Sequence, residues 1–293
     1  MRRVLLILLI ILAPLAVFAA MIQVDRAYGL PGKGRDYVLK VLLPPGGTAL
    51  NLPKVEGPLD ASRPLVVIDA GHGGHDPGAG AGALKEKALT LELAMALRDQ
   101  LLAQGGVRVA LTRSDDRFLM LAERTDIARQ LKADLFLSIH ADSAEIGNAS
   151  GASVYVLSEK GSSEAASKMA TRENQADAIN GVQIAGTSPA VSAILVDLSQ
   201  RDTQARSEQF ANMILREARG TFHFRDSALQ SAAFGVLKSP DVPSALFEAG
   251  YISNGADAGR LASTAGREAF AKATAQAIRV YFARQTVGQA DGG

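Results

Sequence analysis

The 293-residue chain contains no cysteine and no tryptophan. The first absence excludes disulfide staples, thiolate metal sites and a cysteine nucleophile. The second, with aromatic residues at only 5%, leaves few flat platforms for stacking on sugars. Histidine is scarce as well. His72, His75, His140 and His223 are the whole supply, so any imidazole-based metal centre must draw on them. Neither sign of charge dominates: 31 Lys plus Arg against 30 Asp plus Glu give a net charge of +1, which offers no basis for nucleic-acid binding by the whole protein. No repeat of fixed period is present. What remains is a composition with 47% hydrophobic and 21% charged residues, globular in kind and long enough for a substantial core.

The first segment stands apart. Arg2 and Arg3 precede an apolar run from Val4 to Ile22, broken only by Pro14, with small residues at Ala19 and Ala20. Residues 1–22 therefore read as a secretory signal or, uncleaved, as a membrane anchor. Either places the rest of the chain outside the cytoplasm. Residues 23–61 carry GLPGKG, LPPGG and PKVEGP, the punctuation of a linker, with one isolated strand expected at Tyr37–Leu43.

From residue 62 to about 288 the texture is that of a folded domain. Strands are expected at Leu65–Ile68, Val107–Leu111, Leu135–Ile139 and Val154–Leu157, then at Phe234–Leu237 and Ala245–Phe247. Helices are expected at Lys87–Ala103, where Leu89, Leu93, Leu97 and Leu101 recur every four residues, at Leu119–Leu131, and at Gly266–Arg284. Strands alternating with helices define an α/β class: one domain, a central mostly parallel sheet, helices on its faces. The Ala/Ser/Gln-rich stretch of about 158–219, with helical segments near Glu164–Ile179 and Gln204–Arg219, reads as a helical insertion on that core.

Chemistry gathers where strands end. Leu65–Ile68 runs into Asp69-Ala70-Gly71-His72. His140 follows Leu135–Ile139 at once, and Glu248 follows Ala245–Phe247. Open α/β sheets bind ligands beyond the carboxyl ends of their strands, so a fold that joins these ends assembles two imidazoles and a carboxylate at one rim. Six glycines between Gly71 and Gly82 imply tight turns or close backbone approach, but no G-K-[ST] follows and a phosphate cradle is disfavoured. His75 reads as a residue that supports a ligand from behind or is simply solvated, and His223 as an ordinary partly buried one. A carboxylate at Glu248 in a buried strand has to be paired, protonated or functional. Two histidines and a carboxylate suit zinc, with a second carboxylate moving the proton of an attacking water.

Four segments carry a resemblance: VVIDAGHGGHDPGA, KEKALTLELA, LFLSIHAD and PSALFEAGYISN, in that order. Together they resemble the zinc-dependent N-acetylmuramoyl-L-alanine amidases of bacterial cell-wall turnover and division, over residues 64–286. The resemblance implies a Zn²⁺ ion held by His72, Glu86 and His140, with Glu248 as catalytic acid/base. It implies peptidoglycan as substrate, hydrolysed at the amide between N-acetylmuramic acid and L-alanine, and a periplasmic location. VYVLSEKG, ATRENQADAINGV and ILVDLSQ resemble the division-type members, which separate daughter cells. In those a helix covers the site until a LytM-type activator displaces it; by that analogy Glu173 is a candidate to occupy the open zinc position. A zinc peptidase or sugar deacetylase, and a catalytically dead wall-binding protein, are the competing readings; product identity and the retention of all four residues separate them.

Overall fold

The computed structural model describes residues 51–81, 84–143, 149–177 and 193–290. The expected leader at 1–22, the strand at Tyr37–Leu43 and residues 178–192 of the insertion lie outside them, as do residues 23–50 of the linker.

The architecture follows from apolar runs too short for helices. β1 (Leu65–Ala70), β5 (Leu135–His140) and β8 (Ser244–Glu248) are buried along their whole length. Such strands must be covered on both faces, which is the signature of a central parallel sheet. With β4 (Arg108–Leu111), β6 (Ala152–Leu157) and β7 (Phe224–Ala232) they form a six-stranded sheet in the order β4-β1-β5-β8-β6-β7. β4, β1, β5 and β8 are mutually parallel; β6 runs antiparallel to β8 and parallel to β7. A two-stranded ribbon, β2 (Gly80–Ala81) with β3 (Leu84–Lys85), sits apart.

The period of two along each strand splits the core in two. Val66, Ile68, Leu137, Ile139 and Phe247 face one side, against Leu89, Leu93, Leu97 and Leu101 of α1 (Glu86–Gln104). Helices α4 (Ala193–Glu217) and α6 (Thr264–Ala290) share that side through Phe210, Ile214, Phe270 and Ile278. Leu65, Val67, Phe136, Tyr155 and Leu246 face the other, against Ile127 of α2 (Leu121–Gln130) and Met169 of α3 (Glu164–Asn174). Each fully buried Leu or Phe contributes roughly 1.5–3 kcal/mol of transfer free energy.

One expectation needs correction, and two gain detail. Phe234–Leu237 is not a strand: Gly235–Leu237 form one 3₁₀ turn, with Phe234, Val236 and Leu237 buried. A short apolar run does not distinguish strand from buried turn, and here the Gly235 N–H donates to Asn174 Oδ1 at 2.6 Å rather than to a ladder. The stretch 158–219 is not merely appended. β6 and β7 are parallel neighbours, so the chain must cross over between them, and α4 supplies core residues on the way. The linker reading of 23–61 also meets a tie at its end, where Glu56 forms an antiparallel bridge with Val109 of β4. Four elements were not foreseen: the two strands of the β2–β3 ribbon, the partly exposed edge strand β7, and α5 (Gly255–Ala262), whose Asn254 side chain accepts from the Ala256 and Asp257 N–H groups.

Chain order places the site. From β1 the chain passes through α1 to β4 on one side, then through α2 to β5 on β1's other side. The crevice between the carboxyl ends of β1 and β5 is therefore a topological switch point. His72 lies just beyond β1, and His140 is the last residue of β5.

Candidate active site

Each site residue arrives by a distinct local route. His72 follows Gly71 in a left-handed conformation (φ 61°), rare for a residue with a side chain. Gly71 is required: a Cβ there would lie 2.5 Å from the His140 ring. Gly78 is required in the same way, since a Cβ would meet Glu86 Oε2 and His72 Cδ2 at 2.6 Å. Glu86 is the first residue of α1, turned inward and buried. Glu248 is the last residue of β8 and the register partner of His140.

Their polar atoms converge. Glu86 spans the two imidazoles, with Oε2 at 3.1 Å from His72 Nε2 and Oε1 at 3.1 Å from His140 Nδ1. Both oxygens also accept backbone N–H groups, from Ala79 at 2.8 Å and Ala141 at 2.9 Å. Glu173, from α3, brings Oε2 to 3.5 Å from His72 Nε2 and 3.3 Å from His140 Nδ1. Donor atoms of His72, His140 and Glu173 lie within 4.8 Å of one another. Ligands of a tetrahedral ion with bonds of about 2.0–2.1 Å stand about 3.3 Å apart, so these separations fit a small divalent cation. The donors fit too: His72 Nε2 is buried and makes no hydrogen bond among the described residues, its near neighbours being the carboxylates of Glu86 and Glu173, while its Nδ1 is held by Asp76 Oδ2 at 2.8 Å. A carboxylate behind a ligating imidazole fixes its orientation.

The electrostatics are those of a closely packed charge cluster. Burial opposes a charged His72, but Glu86 and Asp76 outweigh it and hold the imidazole well above its ordinary range. Burial likewise disfavours ionised Glu86, and the two histidines reverse the balance, holding its carboxyl well below the usual range. Glu248 goes the other way. Burial, then the charges of Asp142, Glu86 and Glu173, push its carboxyl well above the usual range against the pull of Arg172. Its Oε2 accepts the Asp142 N–H at 2.9 Å; its Oε1 has no partner among the described residues. Asp142 is pushed up to about 7, chiefly by burial, although Arg172 opposes this and pairs with it directly.

Sequence reasoning missed the supports. Arg124 donates to the carbonyls of Ala70 and His72, both at 2.8 Å, and to Asp69 Oδ1 at 3.0 Å. Arg113, fully buried, donates to the carbonyls of Ala70 (2.9 Å), Gly71 (2.8 Å) and Lys87 (2.7 Å). Two guanidinium groups thus clamp three successive carbonyls around His72, and one of them also ties in the residue after Glu86. Asp69 completes the brace, accepting from Thr112 at 2.6 Å and Ser138 at 2.8 Å. A usable signal existed: an arginine soon after the apolar strand Val109–Leu111 is the same anomaly as His140 and Glu248. His75 and His223 are not in the cluster; exposed His75 lies against Phe118, with ring centroids 4.4 Å apart.

A cavity of about 440 Å³ opens on the cluster, lined by His72, Asp76, Glu86, Arg172 and Glu173 among others. A larger one of about 730 Å³, beside Leu157, Arg201 and Lys238, contains none of the converging groups.

A parallel-sheet crevice holding paired imidazoles and buried carboxylates defines the chain as an α/β enzyme. Its residues 66–280 match the Amidase_3 family, described as N-acetylmuramoyl-L-alanine amidase, and the chain belongs to that family. It is 40% identical over 220 residues to the N-acetylmuramoyl-L-alanine amidase AmiA of Escherichia coli (74% of this chain, 76% of that protein). It is 39% identical over 223 residues to AmiA of Salmonella typhimurium (75% and 77%). Among solved structures, the catalytic domain of the Bacillus (Paenibacillus) polymyxa amidase CwlV superposes with a TM-score of 0.53 at 26% identity, covering 75% of this chain and 98% of that one. AmiC2 of Nostoc punctiforme does so with a TM-score of 0.53 at 29% identity, covering 75% and 97%. The chain is accordingly a peptidoglycan amidase.

Proposed function

We propose that this amidase is zinc-dependent, that His72, Glu86 and His140 hold the ion, and that Glu248 is the acid/base. The observation that carries the reading is the convergence of both imidazoles on Glu86 at 3.1 Å, with His72 Nε2 buried and making no hydrogen bond among the described residues. Neutral nitrogen and carboxylate donors with no thiolate suit zinc. When bound, zinc polarises the scissile carbonyl and lowers the pKa of water to about 7.

The chain's own residues do the rest. Glu248 takes a proton from the attacking water as the new C–O bond forms on the lactyl carbonyl. It then delivers that proton to the alanine nitrogen as the C–N bond breaks, releasing a free stem peptide. A carboxyl raised by burial and neighbouring charge suits a group that must both accept and donate near neutral pH. Asp76 orients His72 through Nδ1.

Glu173 is proposed to fill the remaining metal position in a resting state, with α3 as a cover and a LytM-type activator as the partner that removes it. Its carboxylate distances to both imidazoles support this, as does the Arg172–Asp142 pair beside it on the same helix. Cell-wall remodelling at daughter-cell separation and a periplasmic location complete the proposal. Residues 1–22 act there as signal peptide or anchor.

The test is product identity. Zinc-loaded protein incubated with purified sacculi is expected to release stem peptides beginning at L-alanine while leaving the glycan strands intact. Release of glycan fragments, or cleavage inside the peptide, overturns the assignment of the scissile bond. Full activity after exhaustive metal removal overturns zinc dependence.

A further inference from the structure

Two of the buried side-chain atoms that lack a hydrogen-bond partner among the described residues belong to register partners on adjacent strands. They are Ser153 Oγ and Glu248 Oε1, in residues each 1% exposed. Ser153 of β6 is the antiparallel register partner of Glu248 of β8. Directly opposed residues in such a pair have Cβ atoms about 4.5–5.5 Å apart on one face. The neighbouring rows confirm which face. Val154 and Phe247 point into the core shared with α1, and Tyr155 and Leu246 into the opposite one. Ser153 and Glu248 therefore share the Tyr155 side, in one row with His140, which pairs with Glu248 from β5.

The ladder is irregular at this row. β6 pairs with β7 as Ala152↔Phe224 and then as Val154↔Leu229, so Ser153 stands opposite the extra residues of β7, 225–228. Bulges beside active sites re-aim side chains. A fully buried hydroxyl without a partner is a net cost that alanine would remove, and Ala152 shows that a small apolar side chain is accommodated next door.

We propose that Ser153 is a positioning residue for Glu248: turning about χ1 brings its hydroxyl, which makes no hydrogen bond in this structure, to donate to Oε1 while the Asp142 N–H holds Oε2. One donor on each oxygen fixes the plane of the carboxylate that shuttles the proton. This rests on the reading of Glu248 as the acid/base.

The test uses the full chain with Ser153→Ala, Ser153→Thr, Glu248→Gln and the double variant Ser153→Ala/Glu248→Gln, each also carrying Glu173→Ala to expose the site. Ser153→Ala is expected to bind zinc as the parent does and to keep its KM. Its kcat should fall about 10–100-fold, the range typical of lost supporting hydrogen bonds. Ser153→Thr, which keeps the hydroxyl, should recover most of the loss. In the Glu248→Gln background Ser153→Ala should cost little more, because residues acting as a unit are not additive. Normal kcat in Ser153→Ala overturns the proposal, as does an undiminished loss in the Glu248→Gln background or a loss confined to zinc affinity. Should Ser153→Thr fold poorly, the double variant decides alone. A near-normal rate in Glu248→Gln itself instead overturns the acid/base reading, and the Ser153 proposal with it.

Discussion

His140 and Glu248 are register partners on adjacent parallel strands, the terminal residues of β5 and β8. The sheet itself thus sets the backbone spacing between a histidine proposed to hold the metal and the carboxylate proposed to move the proton. No loop has to find that backbone geometry.

Removing one imidazole should abolish tight metal binding. His140→Ala is expected to lose the stoichiometric zinc that the parent retains through dialysis, read by metal analysis. One tightly bound zinc per chain in the variant would exclude His140 as a ligand.

Zinc affinity should also fall with acid. A proton on His72 must leave before its nitrogen can bind the ion, and the metal-free protein holds that imidazole well above its ordinary range. Protonation therefore competes below that raised pKa, and apparent affinity drops about tenfold per pH unit for each proton displaced. Weakening should already be evident as pH falls through 7, in competition titrations at pH 6, 7 and 8. A flat profile would show that His72 does not lose a proton to the metal.

Glu248→Gln keeps size and loses the titrating proton. Zinc content should be unchanged, while kcat falls by roughly 10²–10⁴-fold, the usual scale for acid–base catalysis. Turnover within a few-fold of the parent would remove Glu248 from the mechanism.

Glu173→Ala should raise basal release of stem peptide. Where the competent state is a minor fraction, activity is reduced by that fraction, so relief of roughly tenfold or more is expected. A folded variant with parental or lower activity would show that Glu173 does not hold the site closed.

Arg124→Lys keeps a charge but loses the planar fork that serves the carbonyls of Ala70 and His72. Zinc affinity should fall about 10–100-fold. Phe270→Leu, in the core away from this loop, supplies a control of reduced stability with parental affinity. Equal affinities in the two variants would reduce Arg124 to a structural role.

Much of this was legible in linear order because it depends on local chemistry. Continuous apolar runs marked β1, β5 and β8, a four-residue leucine spacing marked α1, and polar residues at strand ends marked His140 and Glu248. The helical 164–174 segment carries Ser163 as its cap, accepting the Ala166 N–H at 3.0 Å, a short-range signal too. The weakly apolar edge strand β7 and the buried turn at Gly235–Leu237 were not legible, since packing partners distant in sequence decide them.

By itself, then, the sequence determined the α/β class, which rests on residue type and spacing, and the family, which rests on four ordered segments; the roles of His72, Glu86, His140 and Glu248 are what the resemblance of those segments implies. Tertiary structure alone decided that Glu173 reaches both imidazoles, that Arg113 and Arg124 brace a left-handed His72, and that Ser153 stands opposite Glu248. Each of these is a contact between segments tens of residues apart, set by strand order and register, which no local pattern encodes.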